Sequence, residues 1–279
     1  MSFLKGKTLL LTGGGRSVLS DGSAGSIGYG IATAYAKEGA NLVITGRNLQ
    51  KLQEAKEELE RLYGVKVLPV QADVSAGADN AATAKMVVEK AMAEFGRIDV
   101  LINNFGMSSP GQDLDFAHTA PDVFLDTVTM NLRSVFLASQ AAVKHMAQNG
   151  GSIINISSVG GLVPDISQVA YGTSKAAINH LTKLIAVQEA KHHIRCNAVL
   201  PGMTATEAIR QHLTEEFREL FTRHIPLGRI GLSEEIAEAV CYFASDASAY
   251  TTGQILTVSG GFGLATPVYG DFAQKTIRR

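Results

Sequence analysis

Cysteine is scarce in this chain: only Cys196 and Cys241 occur among 279 residues, and neither joins a CxxC or Cys/His spacing of the kind that holds zinc. Both lie in apolar stretches and read as reduced, buried thiols, which excludes a disulfide framework. Charge of one sign is missing too. The 25 basic residues balance 26 acidic ones, so no surplus exists to draw in nucleic acid or an anionic membrane surface. No apolar run approaches the roughly 18 residues of a membrane-crossing helix, and Leu9 to Leu11, the run before the first glycines, is too short for a signal-peptide core. Internal repeats, low-complexity tracts and composition shifts that would mark a linker are absent. The seven histidines form no ligand pattern with acids or cysteines, so no metal is expected; His192 and His193 read as last-turn residues facing a helix dipole. These absences leave a cytoplasmic single-domain enzyme or binding protein acting on a small molecule, with 46% hydrophobic residues to fill one core.

What is present is an alternation. Seven short apolar runs, "KTLLLTG", "NLVITG", "VKVLPV", "IDVLINN", "GSIINISS", "IRCNAVLPG" and "QILTVSGG", read as strands. Between them, segments 48–62, 79–95, 121–148, 168–193 and 233–245 carry Ala, Leu, Glu and Lys at helical spacing. Continuous apolar strands separated by helices predict an α/β fold with a doubly wound, seven-stranded parallel sheet covered on both faces, and ligands at the carboxyl ends of the strands. Two segments break the alternation: 203–224, and the tail 264–279.

After the first run, "TGGGR" places Gly13, Gly14 and Gly15 at a sharp turn, and "SIGYGIA" opens a helix with Gly28 and Gly30. Glycines there let backbone N–H groups approach a pyrophosphate at the positive end of the helix. At the end of the second run, "ITGRN" carries Gly46 and Arg47 where dinucleotide enzymes that use NAD keep a carboxylate for the ribose 2′-hydroxyl. An arginine can pair with a 2′-phosphate that a carboxylate would repel, which favours NADP(H); the alternative is a solvated surface arginine. Tyr171 and Lys175, four apart in a helix-period segment, share one face, where an ammonium would lower the pKa of a phenol and favour the phenolate.

The order TG…IG, "ADV" at 72–74, "NNFG" at 103–106, Asn131, Ser158, "YGTSK" at 171–175 and "PGMTAT" at 201–206 resembles the short-chain dehydrogenase/reductase family from residue 3 to about 263. The resemblance implies a Rossmann-type domain over 1–263, a segment near 203–224 that covers the substrate, and a C-terminal tail over 264–279. It implies catalytic roles for four residues. Tyr171 would transfer the proton, Ser158 would hydrogen-bond the substrate oxygen, Lys175 would lower the tyrosine pKa and hold the nicotinamide ribose, and Asn131 would anchor a water in the proton relay. On the cofactor it implies contacts from Gly13, Arg16, Ser26 and Ile27 in the first loop and from Asp73 and Val74 near the adenine. Asn104, Gly106, Pro201, Thr204 and Thr206 would add further contacts, with Thr206 near the nicotinamide amide, while Asn103 braces the central strands. Arg16 occupies a basic position that NADP-binding members often show, so it would close a two-arginine clamp with Arg47 unless it, too, is a solvated surface residue.

The chain departs from the family's TGxxxGxG turn. Nine residues, Ser17 to Gly25, are inserted, and Ser26 stands where the middle glycine belongs. The insert is small and polar around Val18 and Leu19, as suits a surface flap over the dinucleotide in which Asp21 caps or salt-links, or an ordinary solvated turn. Enoyl reductases of a divergent branch share a lengthened loop, but their Tyr and Lys are more widely spaced, which favours carbonyl/alcohol chemistry here. Met203, Ile209, Leu213, Phe217, Leu220 and Phe221 give segment 203–224 a greasy face, read either as a lid over a bulky apolar alcohol or ketone or as a helix packing its own face. "SIGYGIATAYAKEGANLVITGRN" followed by "AKEELERLYGVKVLP" resembles the N-terminal half of bacterial hydroxysteroid dehydrogenases that act on bile acids. The expectation is therefore an NADP(H)-linked hydroxysteroid dehydrogenase, with 3-oxoacyl thioester or general carbonyl reduction as the alternative and a dinucleotide-sensing regulator as the non-enzymatic one. By resemblance it would be a homotetramer, paired through residues near 232–260.

Overall fold

The seven apolar runs become seven strands: β1 (Thr8–Thr12), β2 (Asn41–Gly46), β3 (Val67–Gln71), β4 (Val100–Asn103), β5 (Gly151–Ile156), β6 (Ile194–Pro201) and β7 (Ile255–Val258). In this computed structural model, which describes residues 3–73, 80–211, 214–266 and 268–277, they form one sheet, all parallel, in the order β3-β2-β1-β4-β5-β6-β7. Strand β1 shows why both faces must be covered. Leu9 and Leu11 point into one apolar cluster and Leu10 into the other, and all three are buried.

Helices α1 (Ile27–Lys37), α2 (Leu49–Tyr63), α3 (Asn80–Phe95), α4 (Pro121–Met146), α5 (Val169–Gln188) and α8 (Ser233–Ala244) fill the periodic segments. Helices α1, α2 and α8 cover one face of the sheet and α3, α4 and α5 the other. Gly30 lets α1 approach α8, since a Cβ there would lie 3.0 Å from Ser233. The buried Tyr35 hydroxyl of α1 donates to the Val240 carbonyl of α8 at 3.1 Å. In the two irregular segments stand α6 (Glu207–Arg210) and α7 (Glu215–Thr222), and α9 (Tyr269–Ile277) in the tail. Leu213 lies outside the described residues.

One expectation is corrected. Helix α5 ends at Gln188, short of the expected 193, and His192 and His193 follow it in a tight turn where His192 pairs with Glu189 at 2.9 Å. No helix among the described residues is long and apolar enough to cross a membrane. Between β1 and β4 the strand order reverses, so the loops after these two strands diverge and leave a crevice at the carboxyl edge of the sheet.

Candidate active site

The phosphate end of that crevice is made by the β1–α1 loop. Gly13 turns at φ 83°, and it and Gly14 donate to the Thr45 carbonyl at 2.9 and 3.1 Å. A Cβ on Gly28 would fall 1.8 Å from the Gly13 carbonyl oxygen, so only glycine permits α1 to start so close to the turn. Ser26 caps α1 by accepting from the Tyr29 N–H at 3.2 Å. From the opposite loop the Asn104 side chain donates to the Thr12 carbonyl at 3.1 Å, while the Asn104 N–H donates to the Thr12 hydroxyl at 2.9 Å. An open cleft of about 410 Å³ results, lined by Arg16, Ser26, Ile27, Lys51, Thr206 and Glu207 among others. Exposed glycine backbone, a helix N-terminus and two cations fit the phosphates of a dinucleotide.

The insertion is a small hairpin. Val18 pairs antiparallel with Ala24, Leu19 donates to Ser23 at 2.9 Å, and Gly25 donates back to Ser17 at 2.8 Å. Its partners lie far along the chain. Asp21 forms an ion pair with Arg210 at 2.7 Å, Ser17 donates to the Glu207 carboxylate at 3.2 Å, and the Glu207 N–H donates to the Gly25 carbonyl at 2.8 Å. The Ala24 N–H donates to Glu234 of α8 at 2.6 Å. The Ser23 hydroxyl, then Arg210 and the Ser23 N–H, hold the Asp21 carboxyl well below the usual range.

At the other end, β5 runs out at Ile156 and the chain turns through Ser158, whose hydroxyl accepts from the Gly160 N–H at 3.1 Å. Tyr171 and Lys175 stand in the first two turns of α5, with Lys175 Nζ 5.5 Å from the centre of the Tyr171 ring. Lys175 is buried, its ammonium donating to the Ile156 carbonyl at 3.0 Å, and burial pushes its pKa down to about 8. Gly106 makes room for it, because a Cβ there would meet Nζ at 2.8 Å. The Tyr171 phenol is pushed up by burial, against a hydrogen bond from Ser158 that lowers it. Lys175 Nζ is turned toward the Ile156 carbonyl.

The side chain of Asn131 is held between the loop after β4 and α5. Its amide donates to the Met107 carbonyl and the Ser174 hydroxyl, both at 2.9 Å, and its oxygen accepts from the Met107 N–H at 2.7 Å. Asn131 thus ties the loop after β4 to α5.

The family whose pattern matches residues 22–263 is described as enoyl-(acyl carrier protein) reductase. The 7α-hydroxysteroid dehydrogenase of Clostridium sardiniense is 41% identical over 276 residues, 99% of this chain and 100% of its own. This chain belongs to the short-chain dehydrogenase/reductase family. A 12α-hydroxysteroid dehydrogenase of a Clostridium species is 41% identical over 94% of this chain and 99% of its own. Among solved structures, a 7α-hydroxysteroid dehydrogenase complexed with NADH and 7-oxo glycochenodeoxycholic acid superimposes with a TM-score of 0.83 at 29% identity, covering 94% of this chain and 96% of that one.

The remaining candidates of this dehydrogenase/reductase divide into three groups. Asn103 braces the central strands, donating to Asn155 of β5 at 2.8 Å and to Ser139 of α4 at 3.0 Å. Arg47 is exposed after β2, Asp73 is half-buried after β3, Pro201 ends β6, and Val74 lies outside the described residues. Three others are engaged elsewhere. Arg16 pairs with Glu58 of α2; the Thr204 hydroxyl donates to its neighbour Gly202 at 3.0 Å; and Thr206 caps α6. Sequence reasoning missed Lys51 and Glu207, which face each other across the cleft at 3.9 Å, and Asp113, which reaches the start of α5. None of the three stands in a spacing that signals its partner.

Proposed function

We propose that this protein is an NADP(H)-dependent hydroxysteroid dehydrogenase that interconverts a secondary hydroxyl and a ketone on a bile-acid-like substrate. The convergence of Ser158, Tyr171 and Lys175 at the carboxyl edge of the same sheet that carries the glycine-loop cleft carries the reading. A bound nicotinamide dinucleotide supplies the hydride for ketone reduction and accepts it in alcohol oxidation. In reduction the Tyr171 hydroxyl gives its proton to the substrate oxygen, and Ser158 donates a hydrogen bond to the same oxygen as negative charge develops there. Lys175, its ammonium 5.5 Å from the Tyr171 ring centre, favours the phenolate and would hold the nicotinamide ribose. Asn131 holds the loop and helix in register. Gly13, Ser26, Ile27, Asn104 and Gly106 shape the dinucleotide seat, with Asp73, Val74, Pro201, Thr204 and Thr206 along its edge.

The preference for a 2′-phosphate rests on Arg47, exposed after β2 with no ion pair among the described residues. Arg16 contributes less, since Glu58 offsets its charge. A steroid substrate is supported by the apolar side chains around the mouth. Leu162, Ile166 and Leu264 are all more than half exposed, and Gly263 lets the loop after β7 pass close to Val163, where a Cβ on the glycine would approach to 2.7 Å. The segment near 203–224 serves as the lid. Phe221 of α7 stacks on Phe262 at 5.0 Å between centroids, so the lid leans on the loop after β7. The exposed Tyr242, Tyr250 and Leu256 support pairing of copies near 232–260 into a homotetramer.

The test is NADP⁺ reduction across bile acids bearing 3-, 7- or 12-hydroxyls, run beside NADPH oxidation with a 3-oxoacyl thioester. Turnover of a bile acid supports the reading. Activity confined to the thioester removes the steroid and leaves the carbonyl chemistry.

A further inference from the structure

Helix α5 cannot start on its own residues. The N-cap position is Gln168, which makes no side-chain capping bond and sits at φ 62°, ψ 43°, in the left-handed region that non-glycine residues seldom adopt. The first N–H groups of a helix lack partners inside it, and here four successive ones are answered by two residues of the loop after β4. Gln168 donates to the Asp113 carbonyl at 3.2 Å and Val169 to the Leu114 carbonyl at 3.3 Å. Ala170 and Tyr171 donate to the two carboxylate oxygens of Asp113 at 2.9 and 2.8 Å. Asp113 is fully buried, and its own N–H is fixed by a turn, donating to the Ser109 carbonyl at 2.7 Å. A carboxylate is the group the positive end of a helix favours, and bonds to it are stronger than neutral ones.

The same loop grips the helix a second time. Asn131 holds Met107 by both backbone groups and reaches the Ser174 hydroxyl, which donates to the Tyr171 carbonyl at 2.7 Å. The turn that carries Tyr171 is thus held at its N–H by Asp113 and at its carbonyl through Ser174. We propose that Asp113 is a positioning residue for the reaction: by holding the N–H groups of Ala170 and Tyr171 it sets where the Tyr171 hydroxyl stands relative to Ser158 and Lys175. The proposal rests on the reading of Tyr171 as the acid/base group.

The experiment measures kcat with NADPH and 7-oxo glycochenodeoxycholic acid, dinucleotide Kd by calorimetry, and amide exchange over residues 168–173. It compares the wild type with Asp113→Ala, Asp113→Asn, Tyr171→Phe and, as a control far from the site, Tyr35→Phe. Displacement of a reacting group by even about an ångström can cost on the order of a hundredfold. Asp113→Ala should therefore lower kcat about 100-fold while dinucleotide Kd stays within about threefold, with faster exchange confined to the start of α5. Asparagine keeps one acceptor and should recover kcat to roughly tenfold below wild type. Tyr35→Phe, which loses a buried hydrogen bond elsewhere, should lower the unfolding temperature and leave kcat alone. Wild-type kcat in Asp113→Ala overturns the proposal, as does a kcat loss matched by an equal loss of dinucleotide affinity; if the alanine variant does not fold, wild-type kcat in Asp113→Asn overturns it equally. Full activity of Tyr171→Phe, or a wild type that turns over no bile-acid ketone, sinks the reading beneath it. An inactive Tyr171→Phe beside fully active Asp113 variants sinks this proposal alone.

Discussion

At the end of the crevice that carries Tyr171, the groups that set geometry are Asn131, Lys175, Ser174 and Asp113, all buried and bonded to backbone or to each other. At the end that carries the glycine loop, the corresponding groups are the exposed or half-exposed pairs Arg16–Glu58, Asp21–Arg210 and Lys51–Glu207. Buried hydrogen bonds are costly to leave unmade, whereas exposed ion pairs are worth little and rearrange easily. One end is thus rigid before any ligand arrives, as proton transfer at a fixed distance requires. The other holds its charges in pairs that a phosphate can replace.

Removing the hydroxyl at the rigid end should give the largest effect. Tyr171→Phe keeps the ring and its packing, so dinucleotide binding should change little, while kcat falls by about a thousandfold or more. Steady-state kinetics beside calorimetric titration would check this, and substantial residual turnover would reject the assignment.

Lys175 tests what rigidity costs the fold. Burial disfavours the ammonium, so the folded pKa of about 8 lies below the ordinary 10.5. Below the folded value both states bind the proton and folding bears the full cost. As pH rises from about 8 to 10.5 the folded lysine releases its proton first, and stability rises across that window. Lys175→Met should therefore abolish turnover yet stabilise the protein at pH 7, by up to about 3 kcal/mol less whatever the bare Ile156 carbonyl costs, with the gain shrinking toward alkaline pH. Denaturant titrations of both proteins at neutral and alkaline pH would decide, and a destabilised variant at neutral pH would show that the bond to Ile156 outweighs the desolvation.

The comparison also explains what could be read from the sequence. Strands and helices were legible because the centre of the sheet is buried on both faces, so its strands are apolar runs and the helices over it periodic stripes; β1, with Leu9, Leu10 and Leu11 all buried, is the plainest case. Motif spacing named Ser158, Tyr171 and Lys175, which the fold brings together after β5 and at the start of α5. The balance of forces on them was not legible. Burial pushes the Tyr171 phenol up, both Asn131 donors are used by Met107 and Ser174, and Arg16 turns to a glutamate forty-two residues on. Asp113 left no trace because its partners are backbone N–H groups, which carry no residue identity. The insertion was visible as a misfit, but its docking on α6 and α8 depends on side chains about 190 and 210 positions away.

At the adaptable end, Arg47 is the sharper probe. An Arg47→Asp change replaces a cation that can bind a 2′-phosphate by an anion that repels it and can accept from a ribose hydroxyl. NADPH affinity should fall by about ten- to a hundredfold, the equivalent of one or two charge-assisted hydrogen bonds, while NADH is tolerated better. Ratios of kcat/KM for the two dinucleotides would measure it. A wild type that already uses NADH more efficiently would overturn the assignment, and with it the idea that this end is built for an extra phosphate.

The smallest effect belongs to the hairpin. Its ends are already closed, with the Gly25 N–H donating to the Ser17 carbonyl at 2.8 Å, so residues 17–25 can be removed and Arg16 joined to Ser26 with little movement of either. What is lost is the set of contacts that fasten α6 beside the cleft: Asp21 to Arg210, Ser17 to Glu207, and the Glu207 N–H to the Gly25 carbonyl. All are at or near the surface, so the deletion should leave a folded protein in which α6 opens more readily. Dinucleotide release, followed by stopped-flow fluorescence of NADPH, should speed up by roughly three- to tenfold while association changes little. Arg210→Ala, which removes one ion pair and keeps the backbone bond, should fall between the deletion and the wild type. An unchanged release rate would make the hairpin a solvated turn with no hold on the cofactor. An unfolded deletion product would instead mean that the bond from Ala24 to Glu234, which ties the hairpin to the first turn of α8, is part of what keeps α1 and α8 together.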